Sequence, residues 1–147
     1  MPGQASLDAG QYYAHPRNAF WRLMGDLFGA APELPYPERL TVLQSKGIAV
    51  WDVLAACERD GSLDADIVGD SVRVNDFSAF FAVHRDIREV FFNGAAAEWL
   101  FRRQVLSSLP GPALRLVRLP STSPAHASLS YAAKLAAWSA IAALPNK

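Results

Sequence analysis

The chain has 147 residues and a mass of 16.0 kDa, the usual size of one domain, and 51% hydrophobic residues supply enough apolar matter for a real core. Fourteen basic and fourteen acidic side chains cancel to a formal net charge of zero, which excludes a polybasic nucleic-acid binder, so any grip on nucleic acid must be local. With 19% charged residues and a mean hydropathy of +0.08 the sequence is too apolar for disorder. The single cysteine, Cys57, excludes an internal disulfide and fits a reducing, cytoplasmic setting.

In chain order, the segment Gln11-Tyr12-Tyr13-Ala14-His15-Pro16-Arg17-Asn18 leads into a helix from Ala19 to Phe28. Asn18 is placed to cap it and Gly29 to stop it. Clustered prolines at positions 31–37 read as a surface connection, and Pro37 suits the first turn of a helix over Glu38–Lys46, ended by Gly47. The run Ile48–Leu54 is apolar on both parities, as for a strand buried on both faces of a parallel sheet. A loop to Val74 follows, with an ordinary turn at Gly61–Asp64. Asp76 can cap a helix from Phe77 to Arg85, leaving His84 on the surface. Val90-Phe91-Phe92 reads as a short strand ended by Asn93-Gly94. A helix from Ala95 to about Leu106 precedes a third strand, Leu114–Leu119. A polar loop, Pro120–Ser128, then opens a last helix, Leu129–Leu144. The apolar stretch Tyr131–Leu144 is interrupted by Lys134 and falls short of the roughly 20 residues that cross a bilayer, so no membrane partner is expected. Strands alternating with helices predict a parallel sheet covered on both faces, with ligands at the carboxyl ends of the strands.

Two segments carry chemistry. Pro120-Ser121-Thr122-Ser123-Pro124-Ala125-His126 is stiffened by prolines and rich in hydroxyls: it is either a rigid cap for the last helix or a loop whose donors bind an anion. Gln11–Trp21 gathers aromatic rings, an imidazole, an amide and a guanidinium, a set able to stack on a base and hydrogen-bond its edge. Packing alone could account for Tyr12 and Tyr13, core burial accounts for Phe20 and Trp21, and N-capping could account for Asn18. Asp52 and Asp64 have sufficient structural explanations. A phosphate-binding hydrolase is unsupported, since no Walker loop, Gly-x-Ser-x-Gly or paired metal ligands are present.

Four stretches taken together, Tyr12–Trp21, Trp51–Cys57 with Gly61-Ser62-Leu63-Asp64, Phe92-Asn93-Gly94 and Leu119–Ala125, resemble the hypoxanthine-DNA glycosylase (DNA-deoxyinosine glycosylase) family of the uracil-DNA glycosylase superfamily. The first stretch is also similar to mismatch-specific uracil-DNA glycosylases. The resemblance implies a three-layer α/β/α fold with a short parallel central sheet. It also implies hydrolysis of the N-glycosidic bond of a deaminated base flipped from double-stranded DNA.

By the same resemblance Asn18 is the catalytic polar residue, Tyr13, Tyr12 and His15 form the base-binding wall, and Pro120, Ser121, Thr122, Ser123 and His126 contact DNA. His126 stands where the family usually has asparagine. With no lysine in either motif, a monofunctional enzyme without metal or other cofactor is expected, acting as a monomer. The family opens with an apolar strand of which only Met1-Pro2-Gly3 remains, so a single domain lacking its first strand is expected over residues 1–147. Two other readings stay open: a uracil- or mismatch-directed glycosylase, and a non-catalytic, truncated α/β module that binds DNA or nucleotides.

Overall fold

The computed structural model describes residues 4–59, 67–109 and 114–143. Its elements are α1 (Gln4–Ala9), α2 (Phe20–Phe28), α3 (Tyr36–Ser45), β1 (Leu54–Arg59), β2 (Ile67–Val74), α4 (Phe77–Val83), β3 (Glu89–Asn93), α5 (Ala95–Gln104), a 3₁₀ turn over Leu106–Ser108, β4 (Arg115–Leu119) and α6 (Tyr131–Trp138). They gather into two compact units. One holds 52–119, and the other is made by the chain up to Trp51 and from Pro120 onward.

In the first unit β3 and β4 pair in parallel, in register from Glu89 opposite Arg115 to Asn93 opposite Leu119. Parallel neighbours need a crossover, and α5 supplies it. Gly94, at φ +94°, makes the turn from β3 into α5 and donates its N–H to the Leu119 carbonyl, closing the end of the strand pair. Beneath lies a core of Val53, Phe77, Phe92, Leu100, Phe101 and Val105, in which the Phe101 ring packs edge-on to Phe77 at 5.4 Å and against Phe92 at 5.2 Å. Asp76 caps α4 by accepting the Ala79 N–H, as its position before an apolar run suggests.

Two expectations fail in this stretch. No strand covers Ile48–Leu54. Residues 48–53 are irregular, Ala49 and Trp51 are exposed while Val53 is buried, and the ladder begins only at Leu54. The first residue of the run is spent wrapping the end of α3, since Gly47 takes φ +75° and the Ile48 N–H bonds to the Leu43 carbonyl. The segment to Val74 is likewise no loop, because β2 folds back on β1 as an antiparallel ribbon. Asn75 fastens the foot of that ribbon through its N–H to the Val53 carbonyl and its amide to the Asp52 carbonyl. The turn Gly61–Asp64 lies outside the described residues.

In the second unit the pattern of α2 is an amphipathic helix: Phe20, Trp21, Leu23 and Met24 are buried on one face. Gly29, left-handed at φ +82°, ends it where the sequence places the stop. α3 begins two residues earlier than the capping pattern indicates, with Pro35 at its cap and Pro37 inside its first turn. Ser130 caps α6 by accepting the Ala133 N–H, and Trp138 of that helix meets Phe20 edge-on at 5.9 Å. α1, for which the sequence offers no clear signal, brings the buried Ser6 into this unit. The chain is thus a mixed α/β protein with a short parallel sheet.

Phe101, 1% exposed, is a fully enclosed large side chain of the first unit. Truncating it with Phe101→Ala leaves a void between Phe77 and Phe92 and is expected to cost about 3–5 kcal/mol, read from the shift of a denaturant unfolding midpoint at constant slope.

Candidate active site

The segment Gln11–Asn18 has no regular structure, yet its main chain is held at every turn. The Gln11 N–H bonds to the Ser6 carbonyl (3.1 Å) and the Ala14 N–H to Ser6 Oγ (2.9 Å). The Tyr12 N–H donates to the Tyr36 hydroxyl (3.1 Å), and the Tyr12 carbonyl accepts from Trp21 Nε1 (2.8 Å). These clamps sustain an unusual backbone: Tyr13 sits at φ +56°, the left-handed region that costs a side-chain-bearing residue on the order of 1 kcal/mol. The result fixes the Tyr13 ring against Phe20, with centroids 4.0 Å apart and planes tilted by 30°. Tyr12 lies 6.4 Å from Tyr13, ring to ring.

His15 and Asn18 are held in defined states. His15 Nδ1 accepts the Arg17 N–H at 3.1 Å, so in the neutral ring the proton is on Nε2. The His15 carbonyl accepts the Asn18 N–H at 2.9 Å, closing a tight turn. Asn18 Oδ1 accepts the Phe20 N–H at 3.0 Å. Asn18 thus sits one residue ahead of the helix cap, which is Ala19, and still satisfies an orphan donor of the first turn of α2. A carbonyl facing a backbone N–H cannot be swapped for the amide nitrogen, so the NH₂ group points to the other side as a fixed donor, while Oδ1 keeps its second lone pair.

The second motif folds on itself and onto the first. Ser121 Oγ accepts the Ser123 N–H (3.1 Å), Ser123 Oγ accepts the Ala125 N–H (3.2 Å), and the His126 N–H bonds to the Ser123 carbonyl (3.0 Å). Two side chains of α6 hold it from behind: Trp138 Nε1 donates to the Pro120 carbonyl (2.9 Å) and Lys134 Nζ to the His126 carbonyl (2.8 Å). Between these anchors the Thr122 carbonyl accepts the Ala19 N–H at 3.0 Å, joining residues 103 apart in sequence and setting the loop beside Asn18. Thr122 itself is buried at 1% exposure. Its side chain is withdrawn from the surface, in contrast to the expected set of donors, while Ser121 and Ser123 are half-buried and Pro124 and His126 exposed.

A cavity of about 840 Å³ opens against the first motif, and Tyr13, His15 and Asn18 all line it. Tyr12 and Pro120–His126 do not. Further along, its wall is formed by Arg22 and Asp26 of α2 and by Glu33 and Arg39. Tyr131, the first residue of α6, donates its hydroxyl to Asp26 Oδ2, and the Arg22 guanidinium lies 3.6 Å over the Tyr131 ring. Burial, reinforced by the Asp26 carboxylate, pushes the Tyr131 phenol up to about 12. Among the described residues no group of three His, Cys, Asp or Glu side chains comes together to hold a metal, and no described helix is long and apolar enough to cross a membrane.

Sequence reasoning missed Lys134, Trp138 and Tyr131 as parts of this site. A lysine inside an otherwise apolar helix was the available signal for the first, and burial, at 6% exposure, holds its pKa below the ordinary lysine value. The motif Phe92-Asn93-Gly94 and Asp52 belong to the other unit.

No protein-family model matches the chain. A solution NMR structure of a candidate uracil DNA glycosylase from Methanosarcina acetivorans is similar over 96% of this chain and 83% of that one, with a TM-score of 0.73 and 32% identity. Likeness of both fold and sequence at that level defines the class, the uracil-DNA glycosylase superfamily. Two curated proteins named hypoxanthine DNA glycosylase are also similar to the chain. That of Methanosarcina barkeri is 37% identical over 64% of this chain and 59% of its own length, and that of Methanosarcina acetivorans 38% identical over 66% and 61%. The chain belongs to the uracil-DNA glycosylase superfamily. It spans about three fifths of the length of the curated relatives it matches.

A phenol whose pKa is higher in the folded than in the unfolded state stabilises the fold fully below the unfolded value near 10, and the contribution is lost as pH rises through about 12. Phenolate absorbance is therefore expected to show one tyrosine titrating near 12 that vanishes in Tyr131→Phe. The wild type should also lose more stability than this variant between pH 10 and 12.

Proposed function

We propose that the chain is a DNA-deoxyinosine glycosylase: it takes a deaminated base out of double-stranded DNA and hydrolyses its N-glycosidic bond. The observation that carries this is the Ala19 N–H to Thr122 carbonyl bond, which seats a hydroxyl-rich, proline-stiffened loop at the residue next to Asn18, whose amide borders the cavity. The names of the two curated relatives support the same substrate class.

The geometry suits each step. Rotating the nucleotide out costs a few kcal/mol of pairing and stacking, least for a weakly paired deaminated base. The segment Pro120–His126 faces the duplex, with Pro120, Ser121, Ser123 and His126 on backbone and groove, while Thr122 anchors the segment from inside. Tyr13, backed by Phe20, receives the face of the flipped base. Such stacking is worth about 1–3 kcal/mol per base. Tyr12 supports it through its main-chain clamps, and His15 presents Nε2–H as a donor.

Bond breaking builds positive charge on the sugar and negative charge on the departing base. Asn18 meets both needs. Its fixed NH₂ donates to the charge gathering on the base, and its free lone pair on Oδ1 holds a water near the anomeric carbon. An amide is a weak base, which suffices because an oxocarbenium-like sugar accepts a weak nucleophile. Lys134 is engaged with the His126 carbonyl and does not line this cavity, which fits the reading of a monofunctional glycosylase without a lyase step. Lys134 instead holds the DNA-facing loop.

The test is single-turnover excision from duplexes carrying hypoxanthine, uracil or adenine at one position. Hypoxanthine release is expected, with adenine untouched; dominant uracil release would move the chain to the uracil-directed branch. Asn18→Ala is expected to lower the rate on the order of 100-fold while duplex binding stays within about threefold, the signature of an interaction made in the transition state. Unchanged excision in that variant would contradict the role given to Asn18.

A further inference from the structure

The cavity wall contains a cluster that neither motif includes. Arg22 and Asp26, four residues apart on α2, both line the cavity, which Asn18 borders from just ahead of the helix. At about 1.5 Å per residue, Asp26 stands roughly 6 Å further along the helix axis than Arg22. Both members of the pair are fixed by one residue of the neighbouring helix: the Tyr131 hydroxyl donates to Asp26 Oδ2, and the Tyr131 ring carries the Arg22 guanidinium at 3.6 Å. A tie between helices would need only the first of these contacts. Holding an acceptor and a donor side by side at the cavity wall does something more. The Tyr131 hydroxyl occupies Oδ2 and leaves Oδ1 to accept, while the guanidinium over the ring has five N–H donors and the ring face engages none of them as an ordinary hydrogen bond.

We propose that Asp26 and Arg22 read the lactam edge of the flipped base, Asp26 accepting from the ring N–H and Arg22 donating to the adjacent carbonyl oxygen. This deepens the glycosylase reading and rests on it. Deamination changes this edge and nothing else. Adenine presents a bare ring nitrogen beside an amino group, an acceptor next to a donor, whereas hypoxanthine presents N1–H beside O6. Against a carboxylate and a guanidinium the first pairs lone pair with lone pair and donor with donor, and the second pairs correctly at both points. The placement agrees with the chemistry at Asn18. In a purine the N1–H and O6 edge lies opposite the nitrogen bonded to the sugar, so a base with its glycosidic bond beside Asn18 and its face on Tyr13 extends that edge along α2. Uracil offers the same N–H beside a carbonyl on a shorter ring. The pocket therefore reads deaminated bases by their shared edge, and ring size decides between them.

The test uses free bases, so it does not depend on catalysis. Binding of hypoxanthine and of 1-methylhypoxanthine, which keeps O6 and loses only the N–H, is followed by NMR titration of the full chain. Uracil and 3-methyluracil are run in parallel. The methyl group is expected to weaken binding at least tenfold in the wild type. Asp26→Ala is expected to weaken the unmethylated base by a similar factor and to leave the methylated one within about twofold, closing the gap. A gap dependent on Asp26 on the purine or on the pyrimidine supports the proposal and says which ring is read. Equal binding of methylated and unmethylated bases by the wild type overturns it, and so does a uniform loss of both in the variant. The wild-type comparison stands even if Asp26→Ala fails to fold. A chain that shows the gap and excises nothing would sink the glycosylase reading alone, and one that excises hypoxanthine without the gap would sink this proposal alone.

Discussion

One main-chain hydrogen bond organises the candidate site: the Ala19 N–H donated to the Thr122 carbonyl. Ala19 is the cap of α2, where the first N–H groups of a helix have no partner within it. Using one of them to hold a loop from the other end of the chain satisfies the helix and seats the loop in a single contact. The neighbouring orphan donor, the Phe20 N–H, goes to Asn18 Oδ1, so the same helix end that receives the loop also orients the amide. Whatever fixes the start of α2 fixes the geometry of the candidate site, and α2 is fixed by its buried face of Phe20, Trp21, Leu23 and Met24.

The side chains behind the site act as clamps rather than as reactants. Trp21 and Tyr36 hold Tyr12 by its two main-chain groups, Ser6 holds Gln11 and Ala14, and Trp138 and Lys134 hold the two ends of the Pro120–His126 loop. The clamps on Gln11, Tyr12 and Ala14 flank Tyr13 and hold it in its left-handed conformation. This is preorganisation in a concrete sense: the cost of strain and ordering is met during folding, so that the cavity wall is already in place before any ligand arrives. Lys134 contributes at an expense. Its burial disfavours the charged form, and among the described residues its acceptor is the His126 carbonyl, an arrangement more readily understood as a loop anchor than as a source of stability.

Much of this was legible in the sequence because it depends on short-range patterns. Gly29 as a stop, Asp76 as a cap, the strand at Val90-Phe91-Phe92 and the glycine after it follow from local periodicity and backbone preference, and the structure has them where the residues put them. The run Ile48–Leu54 was misread because apolar content on both parities does not reveal whether a backbone partner is within reach. Here the partner, β2, pairs only from Leu54 onward and in the antiparallel sense. The site followed the same division. Tyr13, His15 and Asn18 are adjacent in sequence and arrive at one cavity together, whereas Tyr131 and Asp26 meet across 105 positions and Lys134 finds the His126 carbonyl only once α6 has docked. Apolar periodicity marks α6 as a helix and is silent about which turn faces which loop.

The exchange rate of the Ala19 amide hydrogen tests the central geometry most directly, because that N–H is the donor that couples the two motifs. If the loop is seated as described, Ala19 exchanges as slowly as the Leu23 amide inside α2, opening only with the helix. Exchange near the unprotected rate at Ala19, with Leu23 still protected, would mean that the loop is not held there and that Asn18 and Ser121–Ser123 do not form one site.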